Sequence, residues 1–174
     1  MLLLLERADN PEEVVAILHI IISVLHRDAQ NTHFMRENKG YDLISSILRK
    51  KGSRVLCPAV VGAIYCLASM NISTNISNSV KVTLSNLHSF FSIALDWTLW
   101  RNSSTEQEIQ TQCFAISCLS KLLHPDNPSR KFNAFKMRDC RIVQFSLTAL
   151  NDEMVSFSFS LFLYFFIIFF IIAL

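Results

Sequence analysis

Glycine is almost missing from this chain: three occur in 174 residues, beside four prolines. Loops that cradle phosphates need several glycines within a short span, so nucleotide-binding fingerprints have nowhere to form. So few breakers also argue against many short strands and tight turns, and in favour of long helices. No Asn-Gly or Asp-Gly hairpin turn and no convincing alternating strand is found. An excess of one charge is lacking as well. The formal net charge is +2, far from the electrostatic footprint of a nucleic-acid binder, so no nucleic-acid partner is expected. Cysteine is present five times, at 57, 66, 113, 118 and 140, but with no C-x-x-C pair and no even framework. Reduced thiols in the cytosol, packed as small apolar side chains, are the expectation. The opening apolar run, Met1 to Leu5, meets Glu6 and Arg7 at once and is too short for a signal-peptide core. The acceptor-like triplets at Asn71, Asn75 and Asn102 are therefore expected to stay unmodified.

What the sequence does have is helical periodicity. Asn10-Pro11-Glu12-Glu13 is a helix start: a capping side chain, a proline in the first turn, and acids at the positive end of the dipole. Val14, Ile17, Leu18, Ile21, Ile22 and Leu25 follow at spacings of three and four. A polar break over 26–32 precedes a short helix carrying Phe34 and Met35, expected to close at Gly40. A helix over 41–51 places Leu43, Ile44, Ile47 and Leu48 on one face and ends in Arg49, Lys50, Lys51 and Gly52. A longer one over 54–70 turns Leu56, Val60, Ile64 and Leu67 inward, and 71–79 reads as a loop. A helix over 80–100 is expected to share Leu84, Leu87, Phe91, Ala94 and Leu95. The next, to residue 123, carries Ile109, Cys113, Ile116 and Leu123, and two shorter helices lie near 130–137 and 141–150. Amphipathic helices joined by short polar links, each too small to bury its own face, are the pattern of a helical solenoid. The expected fold is therefore all-α, an armadillo/HEAT-like helical solenoid fragment over residues 1–150, with a hydrophobic helix at the C-terminal end.

That last stretch, from Val155 to Leu174, reads VSFSFSLFLYFFIIFFIIAL, without charge, proline or glycine. As a helix rising about 1.5 Å per residue it would span roughly 30 Å, a bilayer core. It is a candidate transmembrane tail anchor, flanked by Asp152 and Glu153 rather than by a basic cluster. A second origin stays open. T-rich DNA encodes these residue types, and Val155-Ser156 is what a splice-donor string encodes in one frame, so the favoured expectation is that the normal coding sequence stops at Met154 and the rest is translated intron. The sequence of the transcript decides between the two.

Clusters that look like chemistry have plainer explanations. His19, His26 and His33 recur every seven residues, yet i and i+7 on a helix lie about 10 Å apart and cannot share one metal. Cys113 and Cys118, five apart, face different sides and lack the converging ligands of a structural zinc site. No metal, cofactor, catalytic group or small-molecule substrate is expected. Arg49, Lys50, Lys51 and Arg54 form one basic cluster; Arg130, Lys131, Lys136, Arg138 and Arg141 form another. Each offers charge to an anionic lipid or acidic partner, or serves as a solvated helix face. The string Asp96-Trp97-Thr98-Leu99-Trp100 is the most distinctive. Trp97 and Trp100 share a helical face, either as packing between repeats or as an exposed hot spot.

Residues 13–67, including Asn31-x-x-Phe34-Met35-x-Glu37-Asn38-x-Gly40-Tyr41 and the following Leu43, Ile44 and Leu48, resemble an armadillo-type repeat of the BEACH-domain proteins. The segment from Ala94 to Trp100, the helix to Leu123, and Phe132-Asn133-x-x-Lys136 continue the resemblance to about residue 150. It implies a large cytosolic scaffold of vesicle and lysosomal trafficking, with Tyr41, Asp96, Trp97 and Trp100 as structural or interaction residues and no catalytic residues to carry over. The chain departs from that plan: it has no BEACH module, no pleckstrin-like module and no WD repeats. The expected function is non-catalytic protein interaction, with other proteins as partners and a membrane as a further partner through 155–174. The competing expectation is a small tail-anchored membrane protein whose helical body faces the cytosol.

Overall fold

The computed structural model describes residues 1–68, 71–73 (backbone only), 81–96, 99 and 106–139. They are mostly helical. In chain order they form α1 (Leu2–Arg7), α2 (Pro11–Arg27), α3 (Ala29–Glu37), α4 (Gly40–Lys51), a 3₁₀ turn (Gly52–Arg54), α5 (Pro58–Ala68), β1 (Asn71–Ser73), β2 (Lys81–Thr83), α6 (Leu87–Ser89) running into a π-helical segment (Phe90–Ala94), α7 (Glu106–Leu123) and α8 (Arg130–Asp139).

The start of α2 follows the capping rule. Asn10 Oδ1 accepts from the Glu13 N–H at 2.9 Å, Pro11 opens the helix, and Glu12 and Glu13 sit in its first turn. Val14, Leu18, Ile21 and Leu25 are its buried stripe. The break falls at Asp28, whose carboxylate caps α3 through the Gln30 N–H at 2.8 Å. Two carbonyls near the end of α2 are taken by α3: Asn31 Nδ2 donates to Val24 at 3.1 Å and Thr32 Oγ1 to Leu25 at 3.3 Å. These bonds fix the bend between the two helices.

Between α3 and α4 the expectation for Gly40 is overturned. Lys39, not Gly40, takes the left-handed conformation, with φ of 53°. Gly40 opens α4 instead, and it is needed for space: a Cβ there would lie 2.5 Å from Met35 Sδ and 3.2 Å from the Met35 carbonyl oxygen. Gly52 closes α4 at φ 58°, ψ −146°, a region that only glycine enters freely, with nothing within 4 Å of where a Cβ would stand. Gly52→Ala is thus expected to destabilise by about 1–2 kcal/mol through backbone strain alone, read as a lower urea midpoint at unchanged slope. Just before it, Lys51 Nζ donates to the carbonyls of Glu6 and Ala8, tying the end of α4 to the end of α1.

Helix α5 is the centre of the body. Pro58 is its first residue rather than lying inside a longer helix begun at 54. Val60, Val61, Ala63, Ile64, Tyr65, Leu67 and Ala68 are buried, so it is covered on most of its circumference. It packs against α2, α7 and the π-helical segment, while α1 and α3 flank α2, α4 packs on α1, α3 and the π-helical segment, and α8 packs on α7.

Residues 80–100 do not form the continuous helix expected of them. Residues 81–83 are a strand, antiparallel to β1 in the register Asn71↔Thr83, Ile72↔Val82 and Ser73↔Lys81, so the expectation of no strand is corrected as well. Helix begins only at Leu87, capped by Asn86 Oδ1, which accepts from the Ser89 N–H at 3.2 Å. The wider π turn changes which side chains face inward. Phe90, Ile93, Ala94 and Leu95 are buried, whereas Phe91, placed in the core by simple periodicity, is exposed. Smaller corrections follow the same logic. Leu43, Ile109 and Cys113 face solvent, and α7 buries Thr111, Gln112, Ala115, Leu119, Leu122 and Leu123 instead. Among the described residues no helix is long and apolar enough to cross a membrane.

Candidate functional site

Two of the interaction candidates lie in described structure and both contribute to holding α4 beside the segment 86–96. Tyr41 is buried, and its hydroxyl accepts from Asn86 Nδ2 at 2.8 Å. Burial pushes the phenol above its ordinary pKa, and the Asn86 hydrogen bond works against that shift. Asn86 also donates its backbone N–H to the Ala68 carbonyl at 3.0 Å, so one residue joins α4, the end of α5 and the start of α6. Asp96 accepts from Ser45 Oγ and, at 2.5 Å, from Arg49 Nη2, so α4 meets the chain again just past the π-helical segment. Tyr41 and Asp96 are thus packing and positioning residues that share α4 as a platform. Trp97 and Trp100 lie outside the described residues, as does the whole stretch from Val155 to Leu174.

A second polar cluster was not expected from the sequence. Asn133, in the middle of α8, has 0% exposure. Its Nδ2 donates to the carbonyls of Val82 at 2.8 Å and Leu122 at 2.9 Å, and its Oδ1 accepts from the Leu84 N–H at 2.8 Å. Asn127 supplies a parallel set: Nδ2 approaches the carbonyls of Val82 (2.9 Å), Lys121 (3.1 Å) and Leu122 (3.2 Å), while Oδ1 accepts from the Ser129 N–H at 2.9 Å. Thr83 Oγ1 and Ser129 Oγ lie 2.8 Å apart and complete the clamp. The two amides thus hold the backbone of 82–84 in extended form against the last turn of α7. Because every partner of Asn133 is a main-chain group, only its place between Phe132 and Ala134 was visible beforehand, and that gave no cue to burial.

No protein-family model and no solved structure matches the chain. Function has to be read from the chemistry of its own surfaces.

Those surfaces carry aromatic and aliphatic side chains. Phe34 of α3 is 66% exposed, at the rim of an apolar cavity of about 150 Å³ that is also lined by Met1, Leu2, Ile21, Leu25 and Met35. Phe132 and Phe135 of α8 are 46% and 49% exposed. His19, His26 and His33 are all at the surface. Among the described residues no group of three or more His, Cys, Asp or Glu is gathered to hold a metal ion. Burial raises the thiol pKa of Cys66 and Cys118, on the facing helices α5 and α7, which leaves them less nucleophilic than ordinary cysteines. Cys113, expected to be buried, is exposed.

Proposed function

We propose that residues 1–150 are a non-catalytic, protein-binding piece of an α-solenoid scaffold of the armadillo/HEAT kind. In line with the BEACH-like sequence resemblance, its setting is vesicle and lysosomal trafficking. What supports this is that α1 to α4 each pack on the next in the chain, and α8 on α7, while Phe34 stands out over an apolar cavity large enough for one side chain. A phenyl ring beside a greasy cleft suits an apolar knob from a partner protein, where aromatic anchors commonly carry most of the binding energy.

The test is proximity labelling in cells with wild-type chain and with Phe34→Asp. Because Phe34 is largely exposed, the variant is expected to unfold within about 1 kcal/mol of wild type. A set of neighbouring proteins is expected to lose its labelling. Identical labelled sets from the two proteins count against a binding role for this face.

The alternative, a single-pass tail-anchored protein with its body in the cytosol, is favoured by the uncharged twenty residues from Val155 onward. Alkaline carbonate extraction separates the two readings: retention in the membrane pellet supports the anchor, release into the supernatant supports the scaffold alone.

A further inference from the structure

Helix α8 buries Ala134 and Met137, yet beside them it hides an asparagine completely and leaves two phenylalanines about half exposed. The roll of the helix is set by Asn133 together with Ala134 and Met137: turning Phe132 or Phe135 inward would pull the amide away from Val82, Leu84 and Leu122 and take Met137 out of the core. The outward face then holds Phe132 and Phe135 with Lys131, Lys136 and Arg138. Lys136 Nζ lies 5.6 Å from the Phe132 ring centre, and the Arg138 guanidinium 4.9 Å from that of Phe135. Asp139 is the one acid of the helix, 3.7 Å from Arg138.

We propose that this face of α8 docks on an anionic lipid surface. The inference goes beyond the protein-binding reading and does not depend on it. Phenyl rings flanked by long cationic side chains suit the boundary of a bilayer, where rings enter the acyl edge and the cations reach lipid phosphates. An acidic peptide would satisfy the cations but would still have to supply pockets for both rings. The position in the chain agrees. The apolar stretch beginning at Val155 follows α8, and the intervening 140–154 span at most about 50 Å even when fully extended.

The test uses the full-length chain, made by cell-free synthesis with vesicles present, and flotation on vesicles of pure phosphatidylcholine and of phosphatidylcholine with phosphatidylserine. Both compositions are offered together in equal amounts, so an insertion of 155–174 that is common to both leaves the partition between them to report the electrostatic attraction of the chain's own basic groups. Wild type is expected to favour the anionic vesicles by at least tenfold. Lys131→Gln and Lys136→Gln should each lower that preference about fivefold, and added salt should lower it further. Phe132→Ser with Phe135→Ser should lower binding to the anionic vesicles while the thermal melt stays in place. A ratio near one for wild type overturns the proposal. So does a preference that survives the lysine substitutions, because the attraction would then reside elsewhere on the chain.

Discussion

Phe90→Ala is expected to lower the unfolding free energy by about 3–5 kcal/mol, the largest effect of any single substitution considered, while Phe91→Ala is expected to stay within about 1 kcal/mol of wild type. Among the described residues Phe90 is the largest of the fully buried side chains, and it sits where the π-helical segment meets α4 and α5. Truncating it removes the transfer free energy of the ring and leaves a void that a helix covered from several sides cannot close. Phe91 is exposed, and its loss takes little apolar area out of the core. The contrast matters more than either number. A regular α-helix through 80–100 would place Phe91 on the apolar face with Leu84, Leu87 and Leu95, and would reverse the ranking. Urea denaturation followed by circular dichroism reads both variants on the same scale.

Asn133→Ala is expected to destabilise by about 3 kcal/mol. The estimate takes roughly 1–3 kcal/mol for each buried polar group left without a partner and about 1 kcal/mol for a bond only partly replaced. The Leu84 N–H loses its acceptor outright, whereas the carbonyls of Val82 and Leu122 keep Asn127. Asn133→Asp tests the direction of the bonds at nearly constant volume. It puts a carboxylate oxygen where an N–H₂ now faces two carbonyl oxygens, so it should cost more than alanine despite its smaller change in shape. If the aspartate variant melts with the wild type, the side chain does not donate to Val82 and Leu122, and the clamp on 82–84 is wrong.

Phe90 and Asn133 both lie where the sequence pattern misleads, whereas other elements were legible in it. Helix α2 was legible because everything that shapes it is local: the cap at Asn10, the proline beside it, and a stripe from Val14 to Leu25. The core positions of α5 were legible for the same reason, down to Val60, Ile64 and Leu67. The segment 80–100 was not, because its spacing of leucines and phenylalanines suits a helix well. What makes 82–84 extended is a pair of amides some fifty positions later in the chain, on 127 and 133. A side chain whose partners are all main-chain groups leaves no pattern of complementary residue types to find. Gly40 fails in a similar way. Its helix-ending role was inferred from conformational freedom, whereas its position is set by the bulk of Met35. Of the interaction candidates, Tyr41 and Asp96 have partners that became visible only with the fold, Asn86 on one side and Ser45 with Arg49 on the other.

One physical idea connects the proposals. Inward amides and small residues set the roll of the helices, and this leaves bulky aromatics outside for other molecules to grip. The most direct measurement is the urea midpoint of a triple variant, Phe34→Ser with Phe132→Ser and Phe135→Ser, against wild type. If those rings face outward, the slope should hold and the midpoint should shift by no more than about 1 kcal/mol apiece produces. Three rings buried in a core would cost about 3 kcal/mol or more apiece on truncation, and a collapse of the transition on that scale contradicts the account.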